Sequence, residues 1–301
     1  MSDSAELEQI AALVALRFRA ENALVPSVLR REFEDGRLPL EILERADPSA
    51  LVAEDRTTEL EWAMAQIRQW SEQNIEVLTP FSDQYPAQLR TVYDYPVILF
   101  ARGSVRHDTR SAAIVGSREV SDWGLRFAAN LGAALAEDGV TVVSGLARGV
   151  DGAAHTAALQ AGGRTVAVLG NGLNYVYPRE HRSLQGEIER TGLVLSQFLP
   201  DERPTRRSFP ARNITMSAYS SITVIAEAAE KSGTRIQADA AVKHARPLVI
   251  TTQVAAETSW GHHYASGQFD VTVVATAAEG RLAIQRILSR LHNHAPMAFP
   301  A

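Results

Sequence analysis

The chain of 301 residues contains no cysteine. Disulfides and thiolate metal sites are thereby excluded, and a reducing compartment is the expectation. No apolar run approaches the ~20 residues of a membrane-spanning helix, so no membrane partner is expected. The first residues, Met1-Ser2-Asp3-Ser4-Ala5-Glu6, are polar and acidic. They lack the basic start and apolar centre of a signal peptide, which points to a cytoplasmic location. Basic charge is not in excess either: 30 Lys and Arg stand against 35 Asp and Glu, a formal net charge of −5. Any contact with a polyanion must therefore come from basic groups gathered locally. Internal repeats and low-complexity segments are also missing.

What is present is an ordinary globular composition, with 46% hydrophobic and 22% charged residues. Residues up to about Gln73 carry helical spacing. Leu7, Ile10, Leu13, Val14 and Leu16 form one apolar stripe, and Leu60, Ala63, Met64, Ile67 and Trp70 form another. Pro26, Gly36, Pro39 and Pro48 divide this region into about five helices, one of them starting at Asp47-Pro48-Ser49. It holds no constellation of catalytic or metal-binding residues, so a structural cap or an interaction surface is its expected role.

From residue 74 onward the pattern changes. Ile75–Thr79 and Pro96–Phe100 read as entry strands, with Tyr85–Leu89 as a turn and short helix between them. Continuous apolar runs then follow at Ala112–Val115, Thr141–Ser144, Thr165–Leu169, Leu193–Ser196, Ser221–Ala226, Pro247–Thr251 and Val271–Ala275. Helical stretches separate them at Asp122–Glu137, Gly152–Ala161, Arg179–Arg190, Arg235–His244 and Ala277–Leu291. Strands buried on both faces and alternating with helices predict an α/β fold with a doubly wound, mainly parallel sheet. The expected division is a small all-helical module over 1–73, the α/β domain over 74–292 and a tail over 293–301. Ligands of such sheets sit beyond the carboxyl ends of the strands, where the strand order reverses.

Several glycine-rich tips fall there. Gly116-Ser117-Arg118 joins a strand to a helix that begins near Ser121. This layout can aim amide groups and a helix dipole at an anion, with Arg118 as a fixed positive fork. An ordinary turn with a solvated arginine explains the tripeptide as well. Gly145, Arg148 and Gly149 can form a second wall, with Asp151 capping the helix that carries His155, a residue expected to be buried rather than catalytic. Arg203, Arg206 and Arg207 precede Phe209, Arg212 and Asn213. An aromatic beside arginines suits single-stranded nucleic acid, because bases stack on the ring while guanidinium groups meet phosphates. A solvated loop with Phe209 in the core is the competing reading. Ser232, Gly233 and Thr234 open a further helix and offer a second phosphate turn. Glu227, at the end of the preceding strand, fits a general base, a ribose acceptor or an acceptor for that turn's own amides. His262-His263 lies in an expected loop, and no metal or cofactor is assigned.

Taken in order, Tyr85-Pro86, Pro96 to Gly103, Val115 to Arg118, Ser144 to Asp151 with His155, Val168 to Gly172, Tyr177-Pro178, Phe209 to Asn213, and Glu227 with Ser232-Gly233 resemble the DNA-processing protein A (DprA/Smf) family. The resemblance implies an extended Rossmann-like domain that binds single-stranded DNA, forms a homodimer and delivers strands to the RecA recombinase in natural transformation. It places strand contact at Arg118, Phe209, Arg212 and Asn213, without enzymatic chemistry. Three positions depart from the family pattern. Gln197 replaces an acidic residue, Ile214 a basic one, and Gln253-Val254-Ala255 a Pro-Gly turn. They imply a divergent paralogue, with a mobile-element or antiphage setting as one reading. A nucleotide binder or N-glycoside hydrolase using Glu227 and Arg118 is the alternative. A dehydrogenase is disfavoured because the Gly-x-Gly-x-x-Gly spacing is missing.

Overall fold

A computed structural model describes residues 3–19, 23–46 and 53–293. The helix start expected at Asp47-Pro48-Ser49 and the tail beyond 293 lie outside these residues. The amino-terminal part forms α1 (Asp3–Phe18), α2 (Pro26–Glu34), α3 (Pro39–Ala46) and α4 (Ala53–Glu72), four helices among the described residues. Residues Ala11 to Leu16 are six consecutive buried positions. A helix apolar on every side must be enclosed, and α1 lies against α3 and α4.

The rest of the chain runs β1 (Glu76–Leu78), β2 (Leu99–Gly103), β3 (Ser111–Gly116), α5 (Asp122–Glu137), β4 (Thr141–Ser144), α6 (Val150–Gln160), β5 (Thr165–Leu169), α7 (Arg182–Thr191), β6 (Leu193–Ser196), α8 (Ser208–Tyr219), β7 (Ile222–Glu227), α9 (Thr234–Lys243), β8 (Leu248–Thr251), α10 (Thr252–Glu257), α11 (Ser259–Ala265), β9 (Val271–Val274) and α12 (Ala277–Asn293). The nine strands form one sheet in the order β1-β2-β6-β5-β4-β3-β7-β8-β9. Strands β3 to β9 pair in parallel, while β1 and β2 join antiparallel at one edge. The chain steps outward from β3 to β6 and then returns to β7, beside β3. That reversal is the switch point at which a doubly wound sheet opens a crevice.

The core follows from the two strand faces. Ala112, Ile114, Val142 and Val224 pack on Phe127, Leu131, Ala154 and Ile284 of α5, α6 and α12. Ala113, Val115, Val143 and Ile225 face Met216 of α8 and Ala238 of α9. The amino-terminal helices share a third cluster with Phe100, Ala167, Leu169 and Val194, so they cover the β2-β6-β5 end of the sheet.

Four local expectations change. Residues 179–190 split into a 3-10 turn, Arg179–His181, and α7. The stretch Ser208–Asn213 is the start of α8, with Pro210 in the first turn, where its missing amide costs nothing. Gln253-Val254-Ala255 lies in α10, begun by the Thr251 side chain accepting from Val254 N. His262 and His263 belong to α11, begun in the same way by Thr258.

Candidate nucleic-acid interface

At the switch point, β3 ends in Gly116 and the loop Ser117–Val120 leads to α5. The turn is pinned from three sides. Ser117 N donates to Glu227 O at 2.8 Å, Ser117 Oγ to Glu119 O at 2.6 Å, and Val150 N to Ser117 O at 3.4 Å. Gly149, at φ +74°, passes so close to Ser117 O that a Cβ there would collide with it. Strand ends β3, β4 and β7 are thereby held in register around one opening.

The amino end of α5 is not open to an external anion, contrary to the layout expected from sequence. Glu227 fills it. Its Oε1 accepts the Ser121 amide at 3.0 Å and its Oε2 the Ser121 hydroxyl at 2.5 Å, while Ser121 Oγ caps Gly124 N at 3.1 Å. A carboxylate at a helix amino terminus is favoured by the same dipole that would attract a phosphate. Glu227 is therefore an acceptor, but for α5 and not for its own turn. Asp151 also differs from expectation. The cap of α6 is Gly149, and Asp151, inside the first turn, accepts Gly145 N at 3.1 Å and Ala147 N at 3.3 Å. It braces the preceding loop. Burial raises its pKa, against the pull of Arg212 and those two amides.

Arg212 is 5% exposed. Its Nη1 donates to the carbonyl oxygens of Gly145 and Val168, the latter at 2.9 Å, and its Nε to Asn213 Oδ1 at 2.9 Å. Any Cβ on Gly145 would overlap the guanidinium, which explains a glycine there. Asn213 Nδ2 reaches on to Gly233 O at 3.2 Å, tying α8 to the turn before α9. In that turn Ser232 Oγ donates to Thr234 Oγ1 at 2.8 Å and accepts Thr234 N at 3.1 Å. His155 is fully buried, with Nδ1 2.6 Å from Thr165 Oγ1. Burial, helped by His181 and Arg212, lowers its pKa to about 3, so it is neutral.

Two exposed groups remain. Arg118 stands over the ring of Phe209 at 4.8 Å and makes no ion pair among the described residues. Arg148 is exposed and bound to Glu180, which the Arg148 hydrogen bonds hold down to about 2. The cleft of about 440 Å³ beside β3 and β7 is lined by Gly116, Ser117, Arg118, Phe209, Asn213 and Ser232 to Thr234. A smaller recess of about 180 Å³ continues past Phe209, between Gly145, Arg148 and Tyr177. Arg118 and Arg212 line both recesses, together with Glu119. Tyr177, which sequence reading did not place in the site, lies 5.7 Å from Phe209. Its signal was only its place before Pro178.

None of the three departures touches this crevice. Gln197 and Ile214 line a different recess, with Arg17 and Arg30 of the amino-terminal helices, and Gln197 Oε1 accepts the Thr215 hydroxyl at 2.6 Å. Gln253 faces Trp123 and Glu257 on the β8 side. Gln197 and Ile214 therefore sit together, beside the amino-terminal helices. Among the described residues no helix is long and apolar enough to cross a membrane, and no group of three or more His, Asp or Glu could hold a metal.

Comparison with known proteins agrees with this geometry. The chain is 42% identical over 183 residues to Protein Smf of Escherichia coli (strain K12), covering 60% of this chain and 49% of that protein. It is 35% identical over 181 residues to DNA processing protein DprA of Bacillus subtilis (strain 168), covering 60% and 61%. It therefore spans about half the length of these curated relatives. The crystal structure of DNA processing protein A from Streptococcus pneumoniae superposes with a TM-score of 0.65 at 28% identity, over 92% of this chain and 96% of that one. A structure of DNA processing protein A from Helicobacter pylori, described for its single-stranded DNA binding mode, gives 0.62 at 26% identity, over 70% and 96%. The sequence profile of DNA recombination-mediator protein A matches residues 76–279, from the first edge strand through the start of α12. With the pinned Gly-Ser-Arg turn and the arginine-carrying α8 in one crevice, the chain belongs to the DNA recombination-mediator protein A family.

Proposed function

We infer that this protein binds single-stranded DNA across the switch-point crevice and acts as a recombination mediator. The observation that carries this reading is the exposed Arg118 guanidinium, without an ion pair among the described residues, over the half-buried ring of Phe209. A planar cation on an aromatic face offers a phosphate its charge and a base its stacking partner together. The name of the Helicobacter pylori structure, which speaks of single-stranded DNA, supports the same ligand. Gly116, Ser117, Gly145, Gly149, Asn213 and Ser232 to Thr234 shape the cleft. Arg148 enters when a phosphate displaces Glu180. Arg212, Asp151, His155 and Glu227 hold the walls. Handing strands to a RecA-type recombinase, assembly as a homodimer and residence in the cytoplasm complete the proposal. The helices of residues 1–73 act as a cap on the sheet. The nucleotide-hydrolase reading loses its base, because both oxygens of Glu227 are committed to Ser121.

Fluorescence anisotropy of a labelled oligonucleotide across a salt series is the test. Wild type should bind more weakly as salt rises, since neutralised phosphates release counterions. Arg118→Ala should weaken binding at every salt concentration. Binding that ignores both salt and Arg118 would defeat the proposal.

A further inference from the structure

Two loops beyond the crevice are clasped together at the carboxyl end of the sheet. Residues 170–181 leave β5, and residues 197–207 leave its parallel neighbour β6. Gly172 N donates to Glu202 O at 2.8 Å and Asn174 N to Pro200 O at 2.8 Å. Asn174 Nδ2 adds a bond to Asp201 Oδ1 at 2.9 Å. The clasp fixes what these loops carry outward. Arg203 lies over the Tyr175 ring at 6.0 Å, and Tyr177 is 41% exposed. Arg206 and Arg207 are exposed in the second loop.

These three arginines make no ion pair among the described residues. Of the two carboxylates just before them, Asp201 takes Asn174, and Glu202 lines the recess that holds Arg17. The opposite flank of the crevice has a different character. In the loop 228–233 and in α10, the one lysine, Lys231, is outnumbered by Glu230 and Glu257, and no aromatic residue occurs. Of these two flanks, the β5–β6 side is the one where arginines stand beside tyrosine rings, the exposed Tyr177 and the partly buried Tyr175.

We propose that single-stranded DNA leaves the crevice over the β5–β6 flank, along a track made by Tyr177, Tyr175, Arg203, Arg206 and Arg207. This rests on the crevice being a single-stranded DNA site. Tyr177 is the next ring after Phe209, at 5.7 Å, a spacing at which neighbouring bases can stack in turn. Tyr175 with Arg203 then repeats the arginine-over-ring unit of Phe209 with Arg118. Such a unit is indifferent to base identity, because every base has a π-face. The three arginines follow the backbone and read no sequence. The footprint is consequently longer than the crevice, and affinity grows with strand length on one side only.

The test uses the full chain and labelled oligothymidylates of about 6 and about 20 nucleotides, in a salt series. Wild type is compared with the triple variant Arg203→Ala/Arg206→Ala/Arg207→Ala and with Tyr175→Ala. For the long oligonucleotide, the triple variant should bind about tenfold or more weakly, with a salt slope shallower by about 2. The short oligonucleotide should bind wild type and variant alike, which also shows that the crevice is intact. Tyr175→Ala should weaken the long oligonucleotide alone. Unchanged long-strand affinity and slope in the triple variant would overturn the track. Equal loss on both lengths would overturn it too, since the arginines would then act within the crevice. Wild type that binds neither oligonucleotide would defeat the crevice reading itself.

Discussion

The carboxylate of Glu227 closes the amino end of α5, taking the Ser121 amide at 3.0 Å and the Ser121 hydroxyl at 2.5 Å. An internal anion thus occupies the position that a strand-turn-helix layout would otherwise offer to a ligand. Removing it takes a charged acceptor away from the Ser121 amide and hydroxyl. Glu227→Ala is expected to lower stability by about 1.5–3 kcal/mol, the range for hydrogen bonds to a charged group, measured by urea unfolding. Gly124→Ala should destabilise through the same contact, because a Cβ there would lie 2.5 Å from Glu227 Oε2. An unchanged urea midpoint for Glu227→Ala would contradict this role.

Arg212 is a buried strut, and its substitution reports on folding before it reports on DNA. Truncation leaves Asp151 without its balancing charge and the Gly145 and Val168 carbonyls without a donor. Arg212→Ala should cost about 3–5 kcal/mol. Arg212→Lys should also fail to restore the native midpoint, since an ammonium cannot reach both carbonyls and Asn213 in one plane. Thermal unfolding measures both. A lysine variant as stable as wild type would show that the fork geometry is unimportant.

His155 makes stability depend on pH. Its folded pKa is lowered to about 3, chiefly by burial. The unfolded value is about 6.5, so below that pH the unfolded chain binds the proton first. Stability from this group is complete above about pH 6.5 and falls toward pH 3, by at most about 1.4 kcal/mol per pH unit. Urea unfolding between about pH 7 and about pH 5 should show a shallower pH dependence in His155→Gln than in wild type. Identical slopes would mean that His155 titrates normally.

On the proposed reading, Arg118 acts through both charge and shape. Arg118→Ala should make the salt slope of DNA binding shallower by about 0.7, while Arg118→Lys keeps the slope but binds more weakly. The loss in Arg118→Ala/Phe209→Ala should be smaller than the sum of the single losses, because each residue seats the other. Strict additivity would argue that ring and cation work apart.

Much of the fold was legible because β3 to β8 are short, mostly apolar runs rich in Val, Ile, Leu and Ala, buried along almost their whole length as a two-sided sheet demands. The helix α8 was not. Its buried positions include Ser208, Arg212, Thr215 and Ser217, so no apolar stripe marks it and Pro210 reads as a breaker. The short helices α10 and α11 escaped for a similar reason, being set by the Thr251 and Thr258 side chains. Within the site, residue identities were readable but their partners were not. Nothing local to Glu227 points 106 positions back to Ser121, and nothing in Arg212 says that Gly145 leaves room for it. In the sequence the departures at Gln197 and Ile214 imply a divergent paralogue, and nothing there shows that they meet in space. The structure puts both in one recess, beside Arg17 of α1.

The position of the bound strand is tested most directly by photocross-linking. A single-stranded oligonucleotide carrying 5-iodouracil is irradiated with the full chain, and the adduct is located by mass spectrometry. The adduct is expected on the peptide containing Phe209, with loss of yield in Arg118→Ala. Efficient binding with adducts only on the amino-terminal helices or on α12 would place the DNA elsewhere and contradict the crevice as its site.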